Sequence, residues 1–325
     1  MKISREEYET NMVRCKANIA KLKESFGLNE DDMTEIEKFY PTLEDVICTT
    51  EKILKHYIYD SDVEAEAVPK LSVNVSPPAS GKSQLNVYSM QKMGGNAVLI
   101  NSDDIKTYYD KAKTIAHHPK YSVMYSYITD MVSNIATSVL LNECIAERLN
   151  FVFEGTGRTN RILTDTINPV RNIYKIKIRT IAVSPVSSLV SILKRYCDQR
   201  KSGLNARLVR AEDFLQCYYN IPNLLDYAEN LGYHVEVFTR GREADHLPIK
   251  YYSSKVRNGY SSALSALQDV RNFSEIISRE DNIMQVSEAH RFLAKTSDKE
   301  NSMVLIEIMS LLYNVLLIYM NEDDF

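Results

Sequence analysis

Residues 76–83 read SPPASGKS and directly follow the short apolar run LSVNV at residues 71–75. The last three letters, Gly81, Lys82 and Ser83, are those that end a phosphate-binding loop, and the helical stretch LNVYSMQKM comes after them. In such a loop backbone amides and a helix N-terminus cradle phosphate, the lysine reaches the β and γ phosphates, and the hydroxyl holds Mg²⁺. The order strand, loop, helix therefore predicts a nucleotide site. Its predicted phosphate contacts are Pro78, Ala79, Ser80, Gly81, Lys82 and Ser83.

The motif departs from the usual pattern at its first position. Ser76 stands where a glycine is normal, and that position often needs unusual backbone angles. On the motif alone, a turn that happens to contain GKS is the alternative to a working site. Pro77 and Pro78 each fix φ near about −65° and are expected to stiffen the loop entrance.

The pattern around the loop predicts an α/β fold. From residue 71 onward, β-rich runs alternate with helical segments, which is typical of a parallel sheet covered by helices on both faces. The candidate strands are residues 71–75, 96–100, 151–153, 175–183 and 233–238. We expect three parts, namely a helical N-terminal extension at 1–65, a core at 66–257 and a helical C-terminal region at 258–325.

Composition limits the classes of partner. The formal net charge of −4 gives no reason to expect nucleic-acid binding. Five cysteines without a CxxC pair, and an N-terminus without an apolar run, favour a reducing, cytoplasmic setting. The apolar segment 303–320 places Glu307, Ser310 and Asn314 on one helical face, which favours a buried helix over a membrane anchor.

Polar residues follow two further predicted strands. Asp103 comes after the second strand, where it can accept a proton from a substrate hydroxyl during phosphoryl transfer, or cap the next helix. Glu154 and Thr156, in EGTGR, follow the third strand and can contact Mg²⁺ or the substrate, although EGTG is also an ordinary flexible turn. Together these positions favour a site at one edge of the sheet.

The stretch KRYCDQRKSGLNARLVR at 194–210 supplies arginines. Arg195, Arg207 and Arg210 can close over phosphates, because charge that develops during phosphoryl transfer needs fixed donors. A basic helix end and loop is more often a solvated surface, although its position after a predicted strand favours a functional role.

The ordered set of motifs resembles the zeta toxin family of P-loop kinases, the toxin half of epsilon–zeta toxin–antitoxin systems. The motifs are PPASGKS, INSDDIK, HHPKY, NFVFEGTGRT, KRY…NARLVR and IKYYSS, and they extend from about residue 71 to residue 254. The resemblance implies a P-loop kinase-like sheet flanked by helices. It also implies that ATP and Mg²⁺ are bound and that the 3′-hydroxyl of the amino sugar in UDP-N-acetylglucosamine is phosphorylated, which blocks cell-wall synthesis.

The resemblance also implies roles for individual residues. Lys82 and Ser83 match the loop lysine and hydroxyl, with Ser83 and Glu154 near the metal. Asp103 matches the catalytic base, and Arg195 and Arg207 match arginines that close on the ATP phosphates. Substrate positions are matched by Asp103, Glu154, Thr156 and Thr166.

Three alternatives remain open at this stage. Ser138 stands where family members can offer a glutamate to the sugar, and a related effector phosphorylates NAD, so another nucleotide is an alternative acceptor. A pseudokinase or binding module is the alternative to an enzyme. Antitoxins of such systems are small helical bundles, so residues 1–65 are either an antitoxin-like cap that inhibits in cis or a packing extension. A separate antitoxin is the other expected partner.

Overall fold

The computed structural model describes residues 3–118, 120–202, 209–241, 247–273, 287, 291 and 299–322. Within these ranges, strands β1 to β6 span Lys70–Val75, Val98–Asn101, Phe151–Gly155, Lys175–Ile181, His234–Thr239 and Ile249–Ser253. They form one six-stranded sheet in the order β2-β3-β1-β4-β5-β6. β4 is parallel to both β1 and β5, whereas β6 is antiparallel to β5. The predicted α/β fold class is confirmed, although the sheet is mixed rather than wholly parallel.

Strand β6 was not among the predicted strands. It is five residues long, and its first two residues, Ile249 and Lys250, are exposed. A short edge strand with an exposed lysine carries little of the apolar pattern that marks a buried strand. The weak signal in this part of the sequence therefore reflects its position at the sheet edge.

Helices cover the remaining regular structure of the described residues. Helices α1 to α11 span Arg5–Phe26, Glu30–Glu37, Leu43–Leu54, Lys82–Gln91, Ser102–Lys106, Ala112–Ala116, Tyr125–Ala146, Pro185–Lys201, Ala211–Asn230, Ala263–Phe273 and Lys299–Glu322. Two π-helical turns lie at Lys55–Tyr59 and Ile162–Ile167. The helical character predicted for the two ends of the chain agrees with α1 to α3 and with α10 and α11.

Contacts group the chain into two compact units. The first contains Met1–Pro69 and Asn96–Phe151, and the second contains Lys70–Gly95 and Val152–Phe325. Each unit joins segments that are distant in sequence. This grouping does not follow the predicted division near residues 65 and 257, which stays a prediction.

The first unit is built around α7. Helices α1 and α3 pack on α7, and capping boxes start the two helices that follow α1, with Asn29 and Asp32 at α2 and Thr42 and Asp45 at α3. Side chains from α1, α2, α3 and α7 share one hydrophobic core, which includes Cys15, Ile19, Ile36, Val46, Ile128, Val132 and Ile135. The N-terminal helices are therefore an integral part of this unit's core.

In the second unit, α8, α9 and α11 share a hydrophobic cluster. It includes Leu189, Ile192, Leu193, Phe214, Leu305, Ile308 and Leu312. On α11, Leu305, Ile308, Met309 and Leu312 are buried while Ile306 and Glu307 are exposed, so one side of this helix is packed. Within the described ranges, no helix is both long enough and apolar enough to span a bilayer.

Candidate functional site

The loop between β1 and α4 has the backbone shape of a tight phosphate loop. Strand β1 ends at Val75, and α4 begins at Lys82. Gly81 adopts φ +102°, in the region that favours glycine, and Ala79 adopts φ +53°, which non-glycine residues rarely do. The predicted strand, turn and helix therefore lie where the motif requires them.

Side-chain donors bind five successive carbonyl oxygens of this loop. Lys82 Nζ donates to the carbonyls of Ser76 and Pro77 at 3.0 and 3.3 Å. Ser188 Oγ, on α8, donates to the carbonyl of Pro78 at 2.6 Å. The guanidinium of Arg240, just after β5, donates to the carbonyls of Ala79 and Ser80, the latter at 3.0 Å. Carbonyls engaged from residue 76 to residue 80 leave the N–H side of the loop for an anion.

Ser76 uses its side chain at the position where glycine is usual. The residue is fully buried, and its Oγ accepts the backbone N–H of Ile181, at the end of β4, at 2.8 Å. The hydroxyl thus satisfies a backbone donor at the loop entrance, which a glycine at this position leaves unpaired.

Ser80 is the residue of the loop that best indicates a ligand. Its side chain is fully buried, and its Oγ has no hydrogen-bond partner within the part of the chain that the structure describes. Buried hydroxyls are nearly always satisfied, so an orphan hydroxyl inside a phosphate loop fits an additional acceptor such as a phosphate oxygen. Lys82 is half-buried and Ser83 is exposed in the first turn of α4, where both can reach such a ligand.

Glu154 is the next-to-last residue of β3 and lies in the same unit as the loop. Its Oε2 accepts a hydrogen bond from Asn86 Nδ2, and Asn86 lies one turn after Lys82 on α4. Asn86 thus connects the Glu154 carboxylate to α4, the helix that begins at the end of the phosphate loop. Thr166 lies half-buried in the π-helical turn Ile162–Ile167.

The turn after Glu154 packs tightly against α9. Gly157 has φ +69°, and a Cβ there would lie 2.9 Å from Ile221 Cγ1, so only glycine fits without a shift. Burial raises the pKa of the neighbouring Cys217 thiol, while Arg158, Lys82 and Thr156 act to lower it. Cys217 therefore lies close to the predicted residues Lys82 and Thr156, and also to Arg158, which the sequence prediction did not single out.

An open cleft lies beside this turn. Its volume is about 760 Å³, and Arg158 Nη1 lies 2.9 Å from Asp213 Oδ1. The cleft is lined by Arg158, Arg210, Glu212, Tyr219, Asn220 and Asn223, among others. Charged and amide side chains are the most numerous among its lining residues, and Leu215 and Tyr219 add apolar surface.

Two of the three predicted arginines lie among the described residues. Arg195 lies exposed on α8. Arg210 is at the N-terminal end of α9 and lines the cleft. Arg207 lies outside the described residues.

Asp103 lies in the first unit, in the first turn of the short helix α5. Asn101, not Asp103, is the capping residue, because Asn101 Oδ1 accepts the backbone N–H of Asp103 at 3.0 Å. The Asp103 carboxylate is 60% exposed and pairs with Lys106 Nζ at 3.1 Å. The Lys106 side chain is only 4% exposed and also binds Asp130, at 2.6 Å.

Asp104 differs from Asp103 in its surroundings. Burial, and then the negative charge of Asp103, raises the pKa of the Asp104 carboxyl. Asp103, exposed and paired with an ammonium group, is therefore better placed than Asp104 to meet a substrate. Among the described residues, no group of three or more His, Cys, Asp or Glu side chains is placed to hold a metal ion without a ligand's help.

Comparisons with known proteins identify relatives. A sequence model of the zeta toxin family matches residues 55–250. The toxin zeta of Streptococcus agalactiae is 25% identical over 179 residues, which are 54% of this chain and 60% of the relative. The chain thus spans about 60% of the length of this curated relative.

Two solved structures share the fold. One comes from work on the PezAT chromosomal toxin–antitoxin system of Streptococcus pneumoniae, with a TM-score of 0.62 and 18% identity, covering 79% of this chain and 99% of that one. The other is AvrRxo1-ORF1:AvrRxo1-ORF2 with sulphate ions, with a TM-score of 0.51 and 13% identity, covering 88% of this chain and 90% of that one. At these identities the likeness concerns the fold.

Proposed function

The chain belongs to the zeta toxin family, and on that premise we propose that it is an ATP-dependent kinase acting on a hydroxyl of a small nucleotide-linked acceptor. The observation that carries the proposal is the loop at residues 76–81, whose carbonyls are engaged by the protein and whose buried Ser80 hydroxyl has no partner among the described residues. A mere turn between strand and helix needs neither feature. An oxygen of a bound phosphate group would accept a hydrogen bond from the Ser80 hydroxyl.

The loop and the start of α4 bind the phosphates of ATP in this proposal. Backbone N–H groups of the loop and the N-terminus of α4 face the β and γ phosphates. Lys82 exchanges its contacts with the carbonyls of Ser76 and Pro77 for phosphate oxygens. Arg195 and Arg207 are assigned to the developing charge on the transferred group, as the family resemblance implies.

Two oxygen-bearing side chains are proposed to hold the metal. Ser83 is exposed at the start of α4, and Glu154 is tied to the same helix through Asn86. Magnesium is usually bound by one or two protein oxygens together with substrate phosphates, so this set suffices. Bound by these side chains, Mg²⁺ would neutralise negative charge on the phosphates.

Asp103 is proposed to accept the proton of the attacking hydroxyl. Its carboxylate is exposed and lies against the Lys106 ammonium group, which favours the ionised form of a carboxylate. Thr156 and Thr166 are assigned to the acceptor. We propose UDP-N-acetylglucosamine, phosphorylated on the 3′-hydroxyl of its amino sugar, as that acceptor, in a protein that acts in the cytoplasm.

A protein antitoxin is the proposed partner, since a structure with the same fold comes from a toxin–antitoxin system. Residues 1–65 share a hydrophobic core with α7, so deleting them exposes that core and does not test regulation cleanly. Substitution of an exposed residue is the better test. If these helices inhibit in cis, Val13→Asp, at a side chain that is 68% exposed on α1, increases turnover, and an unchanged turnover contradicts inhibition through this face.

A panel of acceptors tests the proposed reaction. Purified protein is incubated with ATP, Mg²⁺ and UDP-N-acetylglucosamine, NAD or other nucleotides in separate reactions, and the products are separated by mass. The proposal expects one added phosphoryl group on UDP-N-acetylglucosamine. A product with NAD alone overturns the acceptor but not the kinase. No product with any acceptor, in a protein that still binds ATP, favours a pseudokinase.

A further inference from the structure

One face of the sheet carries polar side chains that are buried beneath α4. Ser72 and Asn74 alternate with apolar residues on β1, and Arg179 lies opposite Asn74 on β4. Two side chains of α4 are hydrogen-bonded to those of β1, namely Asn86 to Asn74 and Ser89 to Ser72. All five side chains are at most 3% exposed. Such a group is stable only if each member is hydrogen-bonded, so its connectivity is strongly constrained.

The connectivity begins at Arg179, which can only donate. Its Nη1 donates to Ser72 Oγ at 2.8 Å and to Ser89 Oγ at 2.9 Å, and its Nε donates to Glu236 Oε2 at 2.7 Å. Although burial raises the pKa of Glu236, hydrogen bonds from Lys250 and Arg179 bring it down to about 2. The Glu236 carboxylate is therefore ionised at neutral pH, and its hydrogen bond with Nε fixes the direction of the Arg179 guanidinium.

The Ser72 hydroxyl, which accepts from Arg179, donates to Asn74 Oδ1 at 2.7 Å. The Ser89 hydroxyl lies 3.2 Å from Asn74 Oδ1 and 3.1 Å from Asn74 Nδ2, so it can donate to the oxygen or accept from the nitrogen. With its oxygen occupied, Asn74 presents Nδ2, which donates to Asn86 Oδ1 at 2.8 Å. Asn86 in turn presents Nδ2, which donates to Glu154 Oε2. Rotating either amide by half a turn sets two acceptors or two donors against each other.

We infer that Asn86 is a positioning residue that holds the Glu154 carboxylate, with its orientation imposed by a one-way chain of hydrogen bonds that starts at Arg179. The buried hydrogen bonds hold the Asn86 amide so that its Nδ2 donates to Glu154. This bond fixes the orientation of the Glu154 carboxylate when Mg²⁺ or the hydroxyl-bearing substrate binds. This inference rests on the proposed function, in which Glu154 contacts the metal or the acceptor.

A double-mutant cycle tests the inference on the full-length protein. Asn86→Leu keeps the shape of the side chain and removes the donor, and Glu154→Ala removes the carboxylate. Removing an outer partner of a metal-binding group typically lowers activity by about 10–100-fold, and we expect such a loss in kcat/KM for Asn86→Leu. In the Glu154→Ala background, the same substitution should change kcat/KM by less than about twofold, because its effect passes through Glu154.

Two further variants separate positioning from folding. Tyr252→Phe removes a buried hydroxyl that donates to a different carboxylate, that of Glu229. This control variant should keep kcat/KM within about twofold of wild type. Asn86→Asp keeps the acceptor for Asn74 but presents an oxygen to Glu154, so its kcat/KM should fall about as far as that of Asn86→Leu. It serves as the test if Asn86→Leu does not fold.

The outcomes are distinguishable. An active wild type together with an Asn86→Leu variant within twofold of it overturns the positioning role alone. Losses for Asn86→Leu and Glu154→Ala that multiply in the double variant also overturn it, because they indicate a purely structural effect. A wild type that transfers no phosphoryl group to any acceptor overturns the proposed kinase and this inference with it.

Discussion

Ser76 Oγ accepts the backbone N–H of Ile181 at 2.8 Å, and both residues are almost fully buried. The bond joins the end of β1 to the end of β4, at the point where the chain leaves the sheet to form the phosphate loop. A glycine at position 76 leaves this N–H without its side-chain acceptor. The residue that departs from the usual motif therefore stabilises the loop entrance in this chain.

Replacing Ser76 with the usual glycine should lower the free energy of unfolding. Ser76→Gly leaves a buried N–H unsatisfied, which typically costs about 1–3 kcal/mol of unfolding free energy. We expect urea unfolding to show a loss of this size, with no gain in ATP affinity measured by calorimetry. Ser76→Ala, which loses only the hydroxyl, should show a similar loss. Tighter ATP binding by Ser76→Gly would show that the serine impairs nucleotide binding.

Arg240 should matter for nucleotide binding although it has no assigned contact with ATP. Arg240→Ala frees the carbonyls of Ala79 and Ser80, and the loop loses its fixed shape. We expect ATP affinity to fall about tenfold, which corresponds to about 1.4 kcal/mol. Arg257→Ala is the matched control, since Arg257 is exposed and its guanidinium donates to a local carbonyl, that of Ser261. Equal affinities for the two variants would contradict this assignment.

His234 should make stability depend on pH. Burial, together with nearby lysines, lowers the pKa of His234 to about 4, even though Glu236 acts in the opposite direction. The folded-state pKa lies below the unfolded value of about 6.5, so the unfolded chain binds the proton first. Stability is therefore present above pH 6.5 and lost as pH falls toward 4, at most about 1.4 kcal/mol per pH unit.

His234→Gln removes this titration and keeps a polar group near Ser253, to which His234 is hydrogen-bonded. Urea unfolding at pH 7.0 and about pH 5.0 should show a smaller loss for the variant than for wild type. The Glu236 carboxyl, with a pKa of about 2, stays ionised in this window and does not obscure the comparison. Equal losses for both proteins would show that His234 does not titrate as described.

Lys106 should support catalysis more than stability. Lys106→Met removes the ammonium group that contacts Asp103 and Asp130, while methionine fills the same buried space. The two carboxylates are exposed, so water satisfies them. We expect kcat to fall about tenfold or more, with ATP affinity unchanged. Lys52→Met, which breaks an exposed pair with Asp110, is the control and should keep full activity.

The phosphate loop was predictable because its motif is local. A strand, a short turn with Gly81 and a helix beginning at Lys82 are encoded in fourteen or so consecutive positions, and the structure has them there. Strand β6 was missed because an exposed edge strand carries a weak pattern. Asp103 proved to follow the capping residue Asn101 instead of being the cap itself.

The supports of the site were not predicted from the sequence. Ser188 and Arg240 lie more than 100 residues beyond the loop, and no spacing rule connects them to its carbonyls. The polar chain beneath α4 did leave a signal. Ser72 and Asn74 alternate with apolar residues, which places them on one face of β1, but an alternating pattern is more typical of a solvent-exposed face than of a buried network.

We propose that this chain transfers the γ-phosphoryl group of ATP with Asp103 as the base. The most direct test of this reaction measures transfer from labelled ATP to UDP-N-acetylglucosamine by wild type and Asp103→Ala side by side, with ATP affinity measured for both. We expect a phosphorylated product from wild type and a rate at least about 100-fold lower for Asp103→Ala, at equal ATP affinity. Equal rates for the two proteins, or no phosphorylated product from wild type, would contradict it.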